Sequence, residues 1–131
     1  FAYITWGTGV GGALVKYINE KPIVTQLDWD KYLSTWEETC GGENLERRFG
    51  KTAEQLIGSE WGEIFELFQK ELLEFVDKLH PQRVIFGGGI SLKQSAHLLQ
   101  IAKQIEDNKI TIEITSLGED TGLLGAFALL R

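Results

Sequence analysis

Residues Phe1–Tyr17 read FAYITWGTGVGGALVKY, two apolar runs joined by Gly7-Thr8-Gly9-Val10-Gly11-Gly12. Four glycines and a hydroxyl within six residues let the backbone turn tightly and approach a ligand, because glycine has no Cβ and takes positive φ at little cost. Successive N–H groups in such a turn can face one way and form a concavity for an anion. Thr8 places a hydroxyl at the same point. Two readings stay open on these residues alone: a glycine-softened hairpin without a ligand, and a turn that holds phosphate.

The residues after the glycines narrow the choice. Gly7, Gly9 and Gly12 fit G-x-G-x-x-G, but that fingerprint needs a helix to start at the loop. Ala13–Ile18 (ALVKYI) reads instead as a strand, Asn19-Glu20-Lys21 as a turn and Pro22–Thr25 as extended again. No G-K-[ST] follows, which excludes a Walker loop. The order strand, glycine turn, strand, strand favours a phosphate-clamping hairpin over a Rossmann unit.

The chain has 131 residues and 43% hydrophobic content, the size of one domain with a real core. Thirteen basic against nineteen acidic side chains give a net charge of −6, and no basic stripe suggests nucleic-acid binding. One cysteine, Cys40, and two histidines, His80 and His97, leave no disulfide framework or cysteine-cluster zinc site to build. No leader pattern or membrane-length apolar run is seen, so a cytoplasmic protein is expected. The chain opens inside a predicted strand at Phe1 and contains no methionine. That points to a piece of a longer protein.

Beyond the three strands, 26–58 is polar, carries Trp29, Tyr32 and Trp36, and reads as a helical insertion over the sheet edge. Lys51–Ile57 is expected as a brief helix ended by Gly58. In Glu60–Leu79, Trp61, Ile64, Phe65, Phe68, Leu72, Phe75, Val76 and Leu79 step by three and four. This is one face of a core helix, stopped by His80-Pro81. Arg83–Phe86 is a short apolar strand covered on both faces, followed by Gly87-Gly88-Gly89. Ser91 is expected to open a helix to about Glu106, with Leu92, Ala96, Leu99, Ala102 and Ile105 inward. Ile110–Thr115 alternates as a half-solvated strand. Asp120 would cap a last helix, Thr121–Arg131, with a small-residue flank at Gly122, Gly125, Ala126 and Ala128. The order predicts a mixed α/β sheet of about five strands, three antiparallel and then β-α-β crossovers, with helices on both faces.

Two glycine clusters, 7–12 and 87–89, both end predicted strands. In open α/β sheets ligands bind beyond strand carboxyl ends, so the pair suggests one cleft, with phosphates at the first turn and a base or sugar near the second. At this point the residues resemble a family. ITWGTGVGGALV (4–15) is similar to the second phosphate motif of the ROK sugar kinases and sugar-responsive repressors, within the actin-like ATPase superfamily and its ribonuclease-H-like fold. PQRVIFGGGIS (81–91) resembles the family's adenosine motif, EDTGLLGAFALL (119–130) its C-terminal helix, and CGGENLERRFGKTAEQL (40–56) a segment of its zinc-free branch, which includes the polyphosphate glucokinases.

The resemblance implies the C-terminal, nucleotide-binding half of a two-domain, glucokinase-like sugar kinase, with a homodimer as the expected assembly. It places Gly7, Thr8, Gly9 and Gly11 at the nucleotide phosphates and Gly87, Gly88 and Gly89 beside the adenosine, with ATP or polyphosphate as donor, Mg²⁺ and no zinc. Such phosphoryl transfer relies mainly on positioning and charge stabilisation. Two departures are plain. The family's catalytic aspartate lies in an N-terminal half that this chain does not contain, so no residue here is expected to be catalytic. The family's sugar-binding E-x-G-H falls at Gln26-Leu27-Asp28-Trp29, where glutamine can still hydrogen-bond and tryptophan can stack on a sugar face. The alternative the resemblance allows is a non-enzymatic descendant, the sugar-sensing domain of a repressor or a decayed kinase.

Overall fold

The computed structural model describes residues 1–105 and 110–115. Three consecutive strands, β1 (Ala2–Trp6), β2 (Val10–Ile18) and β3 (Lys21–Gln26), form an antiparallel meander. Two further strands, β4 (Arg83–Gly87) and β5 (Thr111–Ile114), join on the other side of β1, both parallel to it, giving the order β3-β2-β1-β4-β5. Between β3 and β4 lie a π-helical turn (Trp29–Leu33), α1 (Ser34–Cys40), α2 (Gly42–Phe49), a 3-10 turn (Ala53–Gln55) and α3 (Gly58–Leu79). Between β4 and β5 lie α4 (Gly89–Lys93) and α5 (Ser95–Ile105). This is the expected mixed α/β sheet, with three antiparallel strands and crossovers behind them.

Alternation along β1 explains why the sheet is covered on both sides. Ala2, Ile4 and Trp6 join one large core with α1, α3 and α5. Tyr3 faces the other way with Ile85 and Phe1, and Tyr3 and Ile85 are only 2% and 3% exposed. In the large core, Trp6 stacks on Phe68 with centroids 4.3 Å apart, and Trp36 meets Phe68 and Phe86 edge-on at 5.1 and 6.1 Å. Such aromatic pairs add about 0.5–1.5 kcal/mol each beyond the area they bury. The two-residue turn between β2 and β3 runs through Asn19 and Glu20, both at positive φ (51° and 65°), the backbone that matches the twist of a tight hairpin.

Several local expectations change. Residues 29–49 do not lie over the sheet edge; Leu33, Trp36, Cys40 and Leu45 are buried in the main core. Gly58 begins α3 rather than ending a helix before it. Ile57 is extended (φ −97°, ψ 171°) and its N–H donates to Glu60 Oε1 at 3.0 Å, so the chain is capped afresh there. Lys51–Ile57 keeps only the 3-10 turn at Ala53–Gln55. The single helix expected from Ser91 is two: α4 starts at Gly89, and Gln94 leaves helical geometry (φ −104°, ψ 25°) before α5. That break rotates the buried stripe onto Leu98, Ile101, Ala102 and Ile105, leaving Leu99 exposed and Ala96 outside the buried set. The helix expected at Thr121–Arg131, with its Asp120 cap and small-residue flank, lies outside the described residues.

Candidate functional site

The first glycine turn is held by its backbone. Gly7 N–H donates to Gly9 O at 3.0 Å, closing the turn on itself. The first two amides of α2 bind it from outside: Gly42 N–H donates to Gly7 O at 2.7 Å and Glu43 N–H to Thr8 O at 2.9 Å. These carbonyls occupy amides that a helix start otherwise leaves unpaired. A trans peptide sets C=O and N–H antiparallel, so the Thr8 and Gly9 N–H groups point away from α2. Val10 N–H donates to Glu37 Oε1 at 2.9 Å. Of the four amides from Gly7 to Val10, those of Thr8 and Gly9 donate to no acceptor among the described residues.

Because β1 and β4 are parallel neighbours, their carboxyl ends bring the second glycine turn beside the first. A Cβ built on Gly7 would lie 3.8 Å from Gly89 N. Gly7, Thr8, Gly9 and Gly11 from one turn and Gly88 and Gly89 from the other line a single open cleft of about 950 Å³. Gly87 is buried beneath it, against Tyr3 and Thr115. Beside the cleft is a recess of about 420 Å³, walled by Leu56, Trp61 and Ile90 and sharing Glu54 and Lys93 with it. Another groove, of about 650 Å³, lies at the opposite end of β4 around His80 and Pro81, away from both glycine turns.

Of the residues singled out for a sugar, Trp29 lines the cleft and is 42% exposed. Gln26 and Asp28 are exposed outside it, and Asp28 Oδ1 accepts from Lys31 N–H at 3.2 Å, capping the π-helical turn. Glu37, Glu43, Glu46, Glu54 and Lys93 also reach the cleft, and none of them was singled out from the sequence. Glu43 pairs with Arg47 at 2.7 Å, and Glu54 with Lys93. Gly41-Gly42 is visible in the sequence as a third glycine pair, but no periodicity marks Glu37 as a partner of the first turn. Cys40 is fully buried beside the site, with its carbonyl accepting from Trp6 Nε1 at 2.7 Å. Burial pushes its thiol up to about 11, far from the thiolate that binds metals or reacts.

The five-stranded mixed sheet with its flanking helices has the same fold as about half of several solved sugar kinases. Among relatives, the chain is similar to a fructokinase from Zymomonas mobilis, 25% identical over 160 residues that cover 97% of this chain and 52% of that protein. Its fold matches a glucokinase from Leishmania braziliensis (TM-score 0.63, 16% identity, 99% of this chain and 52% of that one). It also matches a ROK hexokinase from Thermus thermophilus (TM-score 0.60, 19% identity, 95% of this chain and 54% of that one). No protein-family model matches the chain. The chain spans about half the length of the relatives it matches. Among the described residues no helix is long and apolar enough to cross a membrane.

Proposed function

We propose that this chain is the nucleotide-binding, C-terminal half of a ROK-type, glucokinase-like sugar kinase. In this reading it is one domain of a longer two-domain cytoplasmic protein that pairs as a homodimer, with 26–58 as a helical insertion. The observation that carries the proposal is the convergence of both glycine turns on one cleft, with the Thr8 and Gly9 amides aimed away from α2 and donating to no acceptor among the described residues.

The cleft fits a phosphoryl donor with Mg²⁺. Backbone N–H groups of Thr8 and Gly9 are anion donors, and the glycine backbone lets phosphate approach closely. Glu37, Glu43, Glu46 and Glu54 outnumber Lys93 along the lining, which disfavours a bare polyanion and suits phosphates that arrive with a divalent cation. Gly7, Thr8, Gly9 and Gly11 would then hold the phosphates of ATP or polyphosphate, and Gly87, Gly88 and Gly89 would border the adenosine. The bound donor supplies the transferable phosphoryl group. This chain orients it and fixes its charge, and the base that takes the proton from a hexose hydroxyl belongs to the other half of the protein. Trp29 offers a flat face at the cleft for the sugar, with Gln26 and Asp28 as remnants of the sugar motif.

Calorimetric titration of the longer protein with Mg-ATP tests this. Saturable binding is expected, and it should be lost in Gly9→Val, whose side chain would collide with Glu37. Unchanged binding in that variant would remove the turn from the phosphate site. Hexose titration is expected to show weak binding, because the motif lacks its glutamate and histidine; tight glucose binding would contradict that. Mg-ATP binding with no hexose response would instead favour a descendant that has lost sugar recognition.

A further inference from the structure

We infer that Glu37 is a positioning residue for the first glycine turn, a latch that presents the Thr8 and Gly9 amides to the cleft. The inference rests on the phosphate reading of that turn. Glu37 sits on α1, and its Oε1 accepts the Val10 N–H at 2.9 Å. Its own carbonyl accepts from Gly41 N–H at 2.8 Å and from Asn44 Nδ2 at 3.1 Å, so the residue is anchored where α1 gives way to α2. The turn is therefore gripped from two sides. α2 holds the carbonyls of Gly7 and Thr8, and the Glu37 carboxylate holds the amide of Val10. Position 9 and this carboxylate also compete for one space, since a Cβ on Gly9 would lie 2.2 Å from Glu37 Oε1. The carboxylate is the flexible end of a side chain, so a side chain at position 9 displaces it from the Val10 amide more readily than it moves the turn's backbone.

That competition makes a double-mutant cycle decisive. Mg-ATP affinity would be measured by calorimetry on the longer protein for wild type, Gly9→Ala, Glu37→Ala, Glu37→Gln and the Gly9→Ala/Glu37→Ala pair. Losing a charged hydrogen bond that orders the binding amides is expected to weaken binding about tenfold or more in Glu37→Ala. Glu37→Gln keeps an acceptor oxygen and should bind within about threefold of wild type. Gly9→Ala should cost about as much as Glu37→Ala, and the pair little more than either alone. Strictly additive losses, or a glutamine variant as weak as the alanine one, would overturn the latch. Amide exchange at Val10, followed by NMR without nucleotide, tests it independently of the phosphate reading. Protection should persist in Glu37→Gln and collapse in Glu37→Ala, with other β2 amides unchanged; equal protection in all variants would refute the latch. Absence of Mg-ATP binding in wild type would overturn the phosphate reading and leave the exchange result to decide the latch.

Discussion

At Gly88 the backbone runs at φ +91°, and a methyl group there would lie 2.5 Å from Trp6 O and 2.8 Å from Trp6 N. Both obstacles are main chain of β1 and cannot swing aside. Gly88→Ala is therefore expected to destabilise the fold by about 2 kcal/mol or more, from strain and overlap together. Gly62 is the opposite case. It lies within α3, and a methyl group added there would meet nothing within 4 Å among the described residues, so Gly62→Ala should add about 0.5–1 kcal/mol by raising helix propensity. Urea unfolding of the two variants beside wild type checks both signs. At this scale the sequence is informative about kind and silent about partner. Gly87-Gly88-Gly89 announces a special backbone, but nothing local to it names Trp6 as the wall. Likewise, Glu37 lies 27 residues from Val10 in the chain, and only the folding of α1 onto the turn joins them.

Among the elements, α3 is the most legible because its apolar residues keep one helical period for about twenty residues; seven of them, from Trp61 to Val76, are buried. The break between α4 and α5 is not legible, since Gln94 is a good helix former and the apolar residues on either side fit two different phases. The interface of α1 with α3 carries its own pH signature. Glu71 on α3 is partly buried, and desolvation, with Glu74 adding repulsion, raises its pKa, against a hydrogen bond from Thr35. The folded state thus holds this proton more tightly than the unfolded chain. Its charge costs stability at neutral pH, and the cost disappears as pH falls through the raised pKa toward the ordinary carboxylate value. Glu71→Gln is accordingly expected to raise the melting temperature at about pH 7, with the gain fading by about pH 4. A thermal-unfolding series over that range tests it; a gain independent of pH would contradict the assignment to Glu71 ionisation.

For the molecule as a whole, β1 is the organising strand, antiparallel to β2 and parallel to β4, with both its faces buried. β3 is an outer strand of the described sheet, and each of its residues is exposed or half-exposed. Native-state hydrogen exchange should therefore show the amides of Ile4 and of Val84–Phe86 opening only with global unfolding, and those of β3 opening earlier. Uniform protection across the sheet would contradict this ranking. The sheet is readable in the sequence because strand patterns and glycine punctuation are local signals. The cleft is readable only in part, because its acidic wall comes from helices whose docking depends on Trp36, Leu45 and Phe68 packing together over the strands. The tryptophans are distributed with a practical consequence. Trp6 and Trp36 are sealed in the core and Trp61 is 5% exposed, whereas Trp29 stands open at the cleft. A collisional quencher in solution reaches chiefly that one indole, so the red edge of the intrinsic fluorescence reports on the cleft mouth without any added label.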